Sequence, residues 1–263
     1  MNRDGLCEVL LQVPRVLVLG GTTEGIELAA RLAARSDLVT ISSLAGRVGQ
    51  PRLPDGLVRI GGFGGLDGLL SYLEKEKIAV VIDATHPFAA RISRNAEIAC
   101  SRLGLPFVGL LRPAWTKSEK DIWHDVPDVL SAAQFVDKAE ARVFLSIGRQ
   151  ELHIFSDCKD AWYLIRAIDA PAERLPLHHK IVLQRGPFDL ERELQLLRDH
   201  SIDFVVSKNS GGAATYTKIE AARLLGIPVV MINRPAKHTL SSVASVEEAI
   251  TALDDVLRLH WRD

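Results

Sequence analysis

The chain has 263 residues, a formal net charge of −1, 47% hydrophobic residues and 25% charged residues. That apolar share can build one large domain or two smaller ones, and the balanced charge argues against a general nucleic-acid binder, which is normally basic. Three scattered cysteines, Cys7, Cys100 and Cys158, form no Cys-x-x-Cys pair, and no apolar run reaches the length of a membrane span.

Residues 1–13 read as an extension, with Asp4 and Glu8 breaking any signal-peptide pattern. A soluble, cytoplasmic protein, monomeric or homodimeric, with no membrane or nucleic-acid partner is expected. Arg15–Leu19 is a short apolar run ending at Gly20-Gly21, the pattern of a buried parallel strand entering a tight turn. Apolar positions Ile26, Ala29, Ala30 and Ala33 then recur at helical spacing between Glu24 and Arg35. Strands are expected at 38–41, 57–60, 78–82 and 106–111, with helices at 66–77 and along Phe88, Ile92, Ala96, Ala99 and Leu103. Residues 113–127 change character, and a domain boundary is expected there. Beyond it, strands are expected at 143–147, 162–166, 180–183, 203–206 and 229–232, and helices at 129–138, 190–200, 213–225 and 246–259. Strands alternating with helices imply mostly parallel sheets covered by helices. The expected architecture is α/β, two Rossmann-like halves over 14–113 and 114–263 with a cleft between them.

The halves share an internal pattern. Val80–Ala89 leads through a helix to Leu103-Gly-Leu-Pro106, a strand and Arg112-Pro-Ala114. Phe204–Gly212 leads through a helix to Leu225-Gly-Ile-Pro228, a strand and Arg234-Pro-Ala236. Each copy presents a polar loop at the carboxyl end of a strand, where open α/β sheets bind ligands.

Gly20-Gly-Thr-Thr-Glu-Gly25 keeps the first and last glycines of the dinucleotide fingerprint, with Thr22 at the middle position. A helix amino terminus there offers N–H groups and a positive dipole end to phosphate. The same residues also suit a plain turn with Thr22 or Thr23 as N-cap. The second strand exits without an acid. Ser42, Ser43 and Arg47 instead suit a ribose 2′-phosphate, favouring NADPH over NADH, or form a solvated loop. Gly61-Gly-Phe-Gly-Gly65 could bring backbone close to a flat ligand, with Phe63 on a ring, or act as a hinge. In Asp83-Ala-Thr-His-Pro-Phe88, Thr85 and His86 face the same cleft. His86 is a candidate proton carrier or a capping residue before Pro87. In the second half, Lys208 is a candidate anchor or proton donor for an anionic substrate, Gly211-Gly212 an anion-ready helix start, and Arg149 a further cation. The histidines show no metal-ligand spacing, and no metal is expected.

Taken in order, Gly20-Gly-Thr-Thr-Glu24, Leu44-Ala-Gly-Arg47, Gly61-Gly-Phe-Gly-Gly65, Asp83-Ala-Thr-His-Pro-Phe-Ala89, Arg112-Pro-Ala-Trp115 and Lys208-Asn-Ser-Gly-Gly212 resemble the precorrin-6A reductase family of cobalamin biosynthesis. The resemblance covers nearly the whole chain. It implies an NADPH-dependent reductase that reduces one double bond of a corrin-precursor tetrapyrrole to give precorrin-6B, or its cobalt counterpart in the anaerobic branch. The expected cofactor set is Gly20, Gly21, Thr22, Thr23, Glu24, Ser42, Ser43, Gly46, Arg47, Gly62, Phe63, Gly64, Thr85, Pro87 and Phe88. The substrate set is Arg112, Trp115, Arg149, Lys208, Asn209, Ser210, Gly211 and Gly212, with His86 and Lys208 as catalytic candidates. Two rivals are a dehydrogenase or epimerase, for which no Tyr-x-x-x-Lys pair exists, and a non-catalytic NADPH-sensing module.

Overall fold

A computed structural model describes residues 13–46, 49, 52–237 and 242–261. It contains two six-stranded sheets with helices, and every strand pair is parallel. The expected α/β class with parallel sheets is what the structure has.

The first unit begins with β1 (Arg15–Leu19), α1 (Thr23–Ala33), β2 (Val39–Leu44), β3 (Leu57–Ile60), α2 (Leu66–Lys75), β4 (Ile78–Asp83), α3 (Ala90–Leu103) and β5 (Phe107–Leu110). The second comprises β6 (Trp123–Val126), α4 (Val129–Val136), β7 (Arg142–Ser146), a 3-10 helix (Arg149–Asp157), β8 (Trp162–Ala167), β9 (His179–Leu183), α5 (Leu190–Asp199), β10 (Phe204–Lys208), α6 (Thr217–Leu225) and β11 (Val229–Ile232). The chain then adds β12 (Ser242–Val243) and α7 (Val246–Trp261) to the first unit.

A single division at 113/114 was expected, whereas the chain crosses between the units twice. Pro113–Pro235 form the second unit, while Ala236–Asp263 belong with Met1–Arg112. The reason is packing. β12 pairs with β5, Ser242 to Gly109 and Val243 to Leu110. The apolar face of α7, Val246, Ala249, Leu253 and Leu257, is buried in the same core as Val16, Val18, Leu28, Leu32 and Ile82. Both crossings fall at the repeated Arg-Pro-Ala, and each is followed by a strand that completes the other half's sheet.

The sheet orders are β12-β5-β4-β1-β2-β3 and β6-β11-β10-β7-β8-β9. Each places its strands as a Rossmann sheet does, with the order reversing between β1 and β4 and between β7 and β10. The internal repeat occupies equivalent places. Gly104 (φ 65°) and Gly226 (φ 68°) end α3 and α6 in the left-handed conformation. Leu105 N–H then donates to the Cys100 carbonyl and Ile227 N–H to the Ala222 carbonyl, the same helix-ending bond in both copies. Pro106 and Pro228 follow, and their carbonyls accept from Val81 and Val205 to start the next strand pairing.

Three elements fall where none was expected: β6, the 3-10 helix and the short β12. β6 lies in the stretch read as a boundary. It is an edge strand with His124 and Asp125 exposed, so it lacks an apolar run. The 3-10 helix follows Gly148, whose φ is 79°. The two described cysteines are packing residues. Cys100 is 1% exposed and burial pushes its thiol up to about 12, and burial raises that of Cys158 as well.

Candidate functional site

In the first unit the carboxyl ends of β1 and β4 flank the point where strand order reverses, the ligand crevice of such sheets. Gly20 N–H donates to the Ser43 carbonyl (3.0 Å), and Gly21 turns with φ 121°. A Cβ at Gly21 would meet no atom within 4 Å, so the turn stays open to a ligand. Thr22 is the N-cap of α1. Its hydroxyl accepts from Gly25 N–H (3.0 Å) and donates to the Ala84 carbonyl (2.8 Å). Its proton is thus committed inside the protein, and the hydroxyl cannot also donate to a phosphate. What remains for an anion is the helix amino terminus, where the Thr23 and Glu24 N–H groups lack intrahelical partners by geometry. A Cβ at Gly25 would lie 3.2–3.3 Å from Thr22 Oγ1, Ala84 Cβ and the Ala84 carbonyl, so this glycine lets α1 sit against the β4 exit. Thr22→Val should remove the cap and orphan the Ala84 carbonyl, lowering stability in urea unfolding by about 2 kcal/mol. A loss under about 0.5 kcal/mol would contradict the interlock.

A shallow pocket is lined by Thr22, Glu24, Thr85, Pro87, Leu110 and Arg112. Arg112, expected among the substrate contacts, pairs with Glu24 at 2.6 Å and so sits with the cofactor candidates. Glu24 alone would repel a phosphate at the start of α1, and the guanidinium beside it offsets that charge.

At the β4 exit, Asp83 is 1% exposed. It accepts from Thr85 N–H (3.0 Å) and Thr85 Oγ1 (2.6 Å). Lys237 Nζ lies 3.5 Å from Asp83 Oδ2 and 3.3 Å from Thr85 Oγ1, with its side chain 4% exposed. Because Asp83 takes the Thr85 proton, Thr85 can offer a ligand only an acceptor. His86 Nδ1 accepts from Phe88 N–H (3.2 Å), and the His86 carbonyl accepts from Ala89 N–H. An imidazolium would set a second N–H against the Phe88 N–H, so this geometry opposes His86 as an acid and suits loop closure.

At the β2 exit, adjacent strand residues point to opposite faces. Ser43 Oγ accepts from Arg59 (2.8 Å), while Ser42 Oγ is buried without a hydrogen-bond partner. The two hydroxyls therefore cannot serve one phosphate together, and Ser42 is removed from the expected pair. Gly46 turns with φ 70°, and Arg47 lies outside the described residues. Phe63 packs on Tyr72 (5.2 Å between centroids) and under Arg59 (3.9 Å), in the open loop holding Gly62 and Gly64.

In the second unit, Lys208 ends β10 and forms an ion pair with Glu151 of the 3-10 helix that Arg149 opens. This pair lies at the second reversal of strand order, between β7 and β10. Asn209 has a different task from the expected substrate contact. Its side chain exchanges hydrogen bonds with the Trp115 backbone (2.8 and 3.0 Å), and the Trp115 indole donates to the Gly212 carbonyl (2.9 Å). Ser210 is 7% exposed, its N–H donating to the Lys208 carbonyl. Asn209 and Trp115 thus shape the loop, while Lys208 and Arg149 carry its charge. Gly211 (φ 64°) and Gly212 (φ 77°) make its turn.

Arg59, Lys237 and Glu151 were missed. Arg59 looked like an ordinary strand residue, and only the register pairing Ser43 with Arg59 brings it to the site. Lys237 reaches the first unit only because the chain returns there. Among the described residues, no group of three His, Cys, Asp or Glu side chains is placed to hold a metal ion. No helix among them is long and apolar enough to cross a membrane.

Comparison with known proteins bears on this arrangement. The family profile described as precorrin-6x reductase CbiJ/CobK matches residues 15–254. A precorrin-6A reductase of Rhodococcus erythropolis is 49% identical over 234 residues, covering 88% of this chain and 94% of that protein. A cobalt-precorrin-6A reductase of Priestia megaterium is 24% identical over 254 residues, covering 90% of this chain and 97% of that protein. The solved structure of a CobK precorrin-6A reductase superposes with a TM-score of 0.87 at 44% identity, covering 92% of this chain and 97% of that one. With nearly its whole length matched in sequence and fold, the chain belongs to the precorrin-6x reductase family.

Proposed function

We propose that the protein reduces one carbon–carbon double bond of the precorrin-6A macrocycle with NADPH, giving precorrin-6B. The observation that carries this reading is the open Gly20–Gly21 turn and α1 amino terminus at the first reversal of strand order, in a chain of this family. NADPH would supply the hydride to a ring carbon, with a proton added at the neighbouring carbon. The first-turn N–H groups of α1 hold the pyrophosphate, and Thr85 accepts a hydrogen bond from the nicotinamide end. Lys208 and Arg149 bind macrocycle carboxylates, and Lys208 is the candidate donor of the proton. Glu151 holds the Lys208 ammonium in place.

Identity of 45–49% to precorrin-6A reductases, against 24–28% to cobalt-precorrin-6A reductases, supports the metal-free macrocycle as substrate. The test is cofactor oxidation at constant pH with precorrin-6A, with its cobalt form, and with NADH replacing NADPH. Turnover of NADPH with a shifted macrocycle spectrum is the expected result. Tight NADPH binding without turnover of either macrocycle would sink the reading in favour of a sensing module.

His86→Asn retains a side-chain acceptor for Phe88 N–H. It should keep kcat within about threefold, with an unchanged pH profile, whereas loss of a general acid removes about 10²–10⁴-fold. Lys208→Met should lower kcat by about 10²–10⁴-fold as loss of the proton donor, whereas a fall of about 30-fold in kcat/KM with kcat kept would leave Lys208 a carboxylate contact alone. An unchanged value would remove Lys208 from the substrate site.

A further inference from the structure

Arg59 ends up beside Ser43 because β2 and β3 pair in parallel at that register. Its Nη1 donates to Ser43 Oγ (2.8 Å) and the Gly61 carbonyl (2.9 Å), and its Nη2 to the Gly62 carbonyl (3.1 Å). The guanidinium lies 3.9 Å from the Phe63 ring centroid and 5.0 Å from that of Tyr72. These three bonds leave two of the five N–H donors, one on Nε and one on Nη2, for a ligand. A guanidinium with donors to spare is suited to phosphate oxygens. The bonded partners are a hydroxyl and two carbonyls, which do not neutralise the charge, and no carboxylate lies within 4.0 Å of it among the described residues.

A purely structural role would make Arg59 a staple for the glycine loop. The glycines argue for more. Gly62 is not in the left-handed region, and a Cβ there would meet nothing within 4 Å. A Cβ at Gly61, Gly64 or Gly65 would likewise meet nothing within 4 Å. No contact within the protein requires the missing side chain at Gly62, as close approach of a ligand would.

We infer that Arg59 is a cofactor-specificity residue that binds the 2′-phosphate of NADPH, its guanidinium held ready by Ser43, the Gly61 and Gly62 carbonyls and the Phe63 ring. The inference rests on the NADPH reading above. Ser43 acts through Arg59, and Phe63 serves as the platform for the cation.

The test titrates the full chain and its Arg59→Met and Arg59→Lys variants with 2′,5′-ADP and with 5′-AMP by calorimetry. It also measures KM for NADPH and NADH, with thermal unfolding to confirm that each variant is folded. Arg59→Met should weaken 2′,5′-ADP by about 30-fold and raise the NADPH KM similarly, leaving 5′-AMP and the NADH KM unchanged. Arg59→Lys should recover part of the loss, because charge survives without the two-pronged geometry. Equal weakening of both nucleotides would show a loop staple and overturn the inference. No change in a chain that still prefers 2′,5′-ADP would also overturn it, while leaving the NADPH reading intact. Absence of that preference in the unaltered chain would instead overturn the NADPH reading, and this inference with it.

Discussion

Glu193→Ala is expected to destabilise the second unit by about 3–5 kcal/mol, the typical penalty for stripping one partner from a buried ion pair. Glu193 on α5 and Arg166 on β8 pair at 2.6 Å with both side chains 4% exposed. Arg166 lies 4.5 Å from the Phe144 ring centroid and 4.1 Å from that of Phe188, and its Nε and Nη1 have no hydrogen-bond partner. Removing the carboxylate would leave a desolvated cation among aromatic rings. The pair itself is not a strong source of stability, because both charges were taken out of water to form it. Replacing both residues, Arg166→Met with Glu193→Leu, should therefore lie within about 1 kcal/mol of the parent or above it. Guanidinium unfolding followed by tryptophan fluorescence reads this unit well, since Trp115, Trp123 and Trp162 all belong to it. A single variant that loses less than about 1 kcal/mol would show that the site relaxes or admits water.

Gly211→Ala should be equally damaging and should also abolish most of the activity. Gly211 has φ 64°, where a Cβ adds about 1–2 kcal/mol of strain. The new carbon would also overlap the Pro113 carbonyl oxygen and crowd Arg234 Nη2 at 2.5 Å. Those two groups are hydrogen-bonded to each other at 3.0 Å, and Arg234 Nε donates to the Asn209 carbonyl at 2.7 Å. Relief therefore requires the whole Lys208–Gly212 loop to move. A shift of about 1 Å at a positioning loop can lower kcat/KM by about 100-fold. Gly226→Ala is the control, because Gly226 has φ 68° but a Cβ there meets nothing within 4 Å. It should show the strain alone, about 1 kcal/mol, with activity retained. Equal behaviour of the two variants would remove the overlap argument.

The alternation of apolar runs and helical faces made most strands and helices legible, since period and burial are local properties of the chain. The repeated Leu-Gly-x-Pro and Arg-Pro-Ala segments gave away the two related halves, for glycine at a helix end and proline before a strand mark the same local turn in both. Edge strand β6 escaped because His124 and Asp125 face outward and no apolar run remains.

At the candidate site, residue types were readable but their commitments were not. Thr22, Asn209 and Trp115 carry donors suited to a ligand, yet each spends a polar group inside the protein. Ser42 and Ser43 are adjacent in sequence and face opposite ways on the strand. Sequence by itself determined the fold class and the two-half design, because these follow from short-range periodicity and turn chemistry. Only the tertiary structure decided that α7 returns to the first sheet, that Lys237 reaches Asp83 and that Arg59 stands beside Ser43. Those outcomes depend on strand register and on which core an apolar face joins, and both are settled by contacts between residues far apart in the chain.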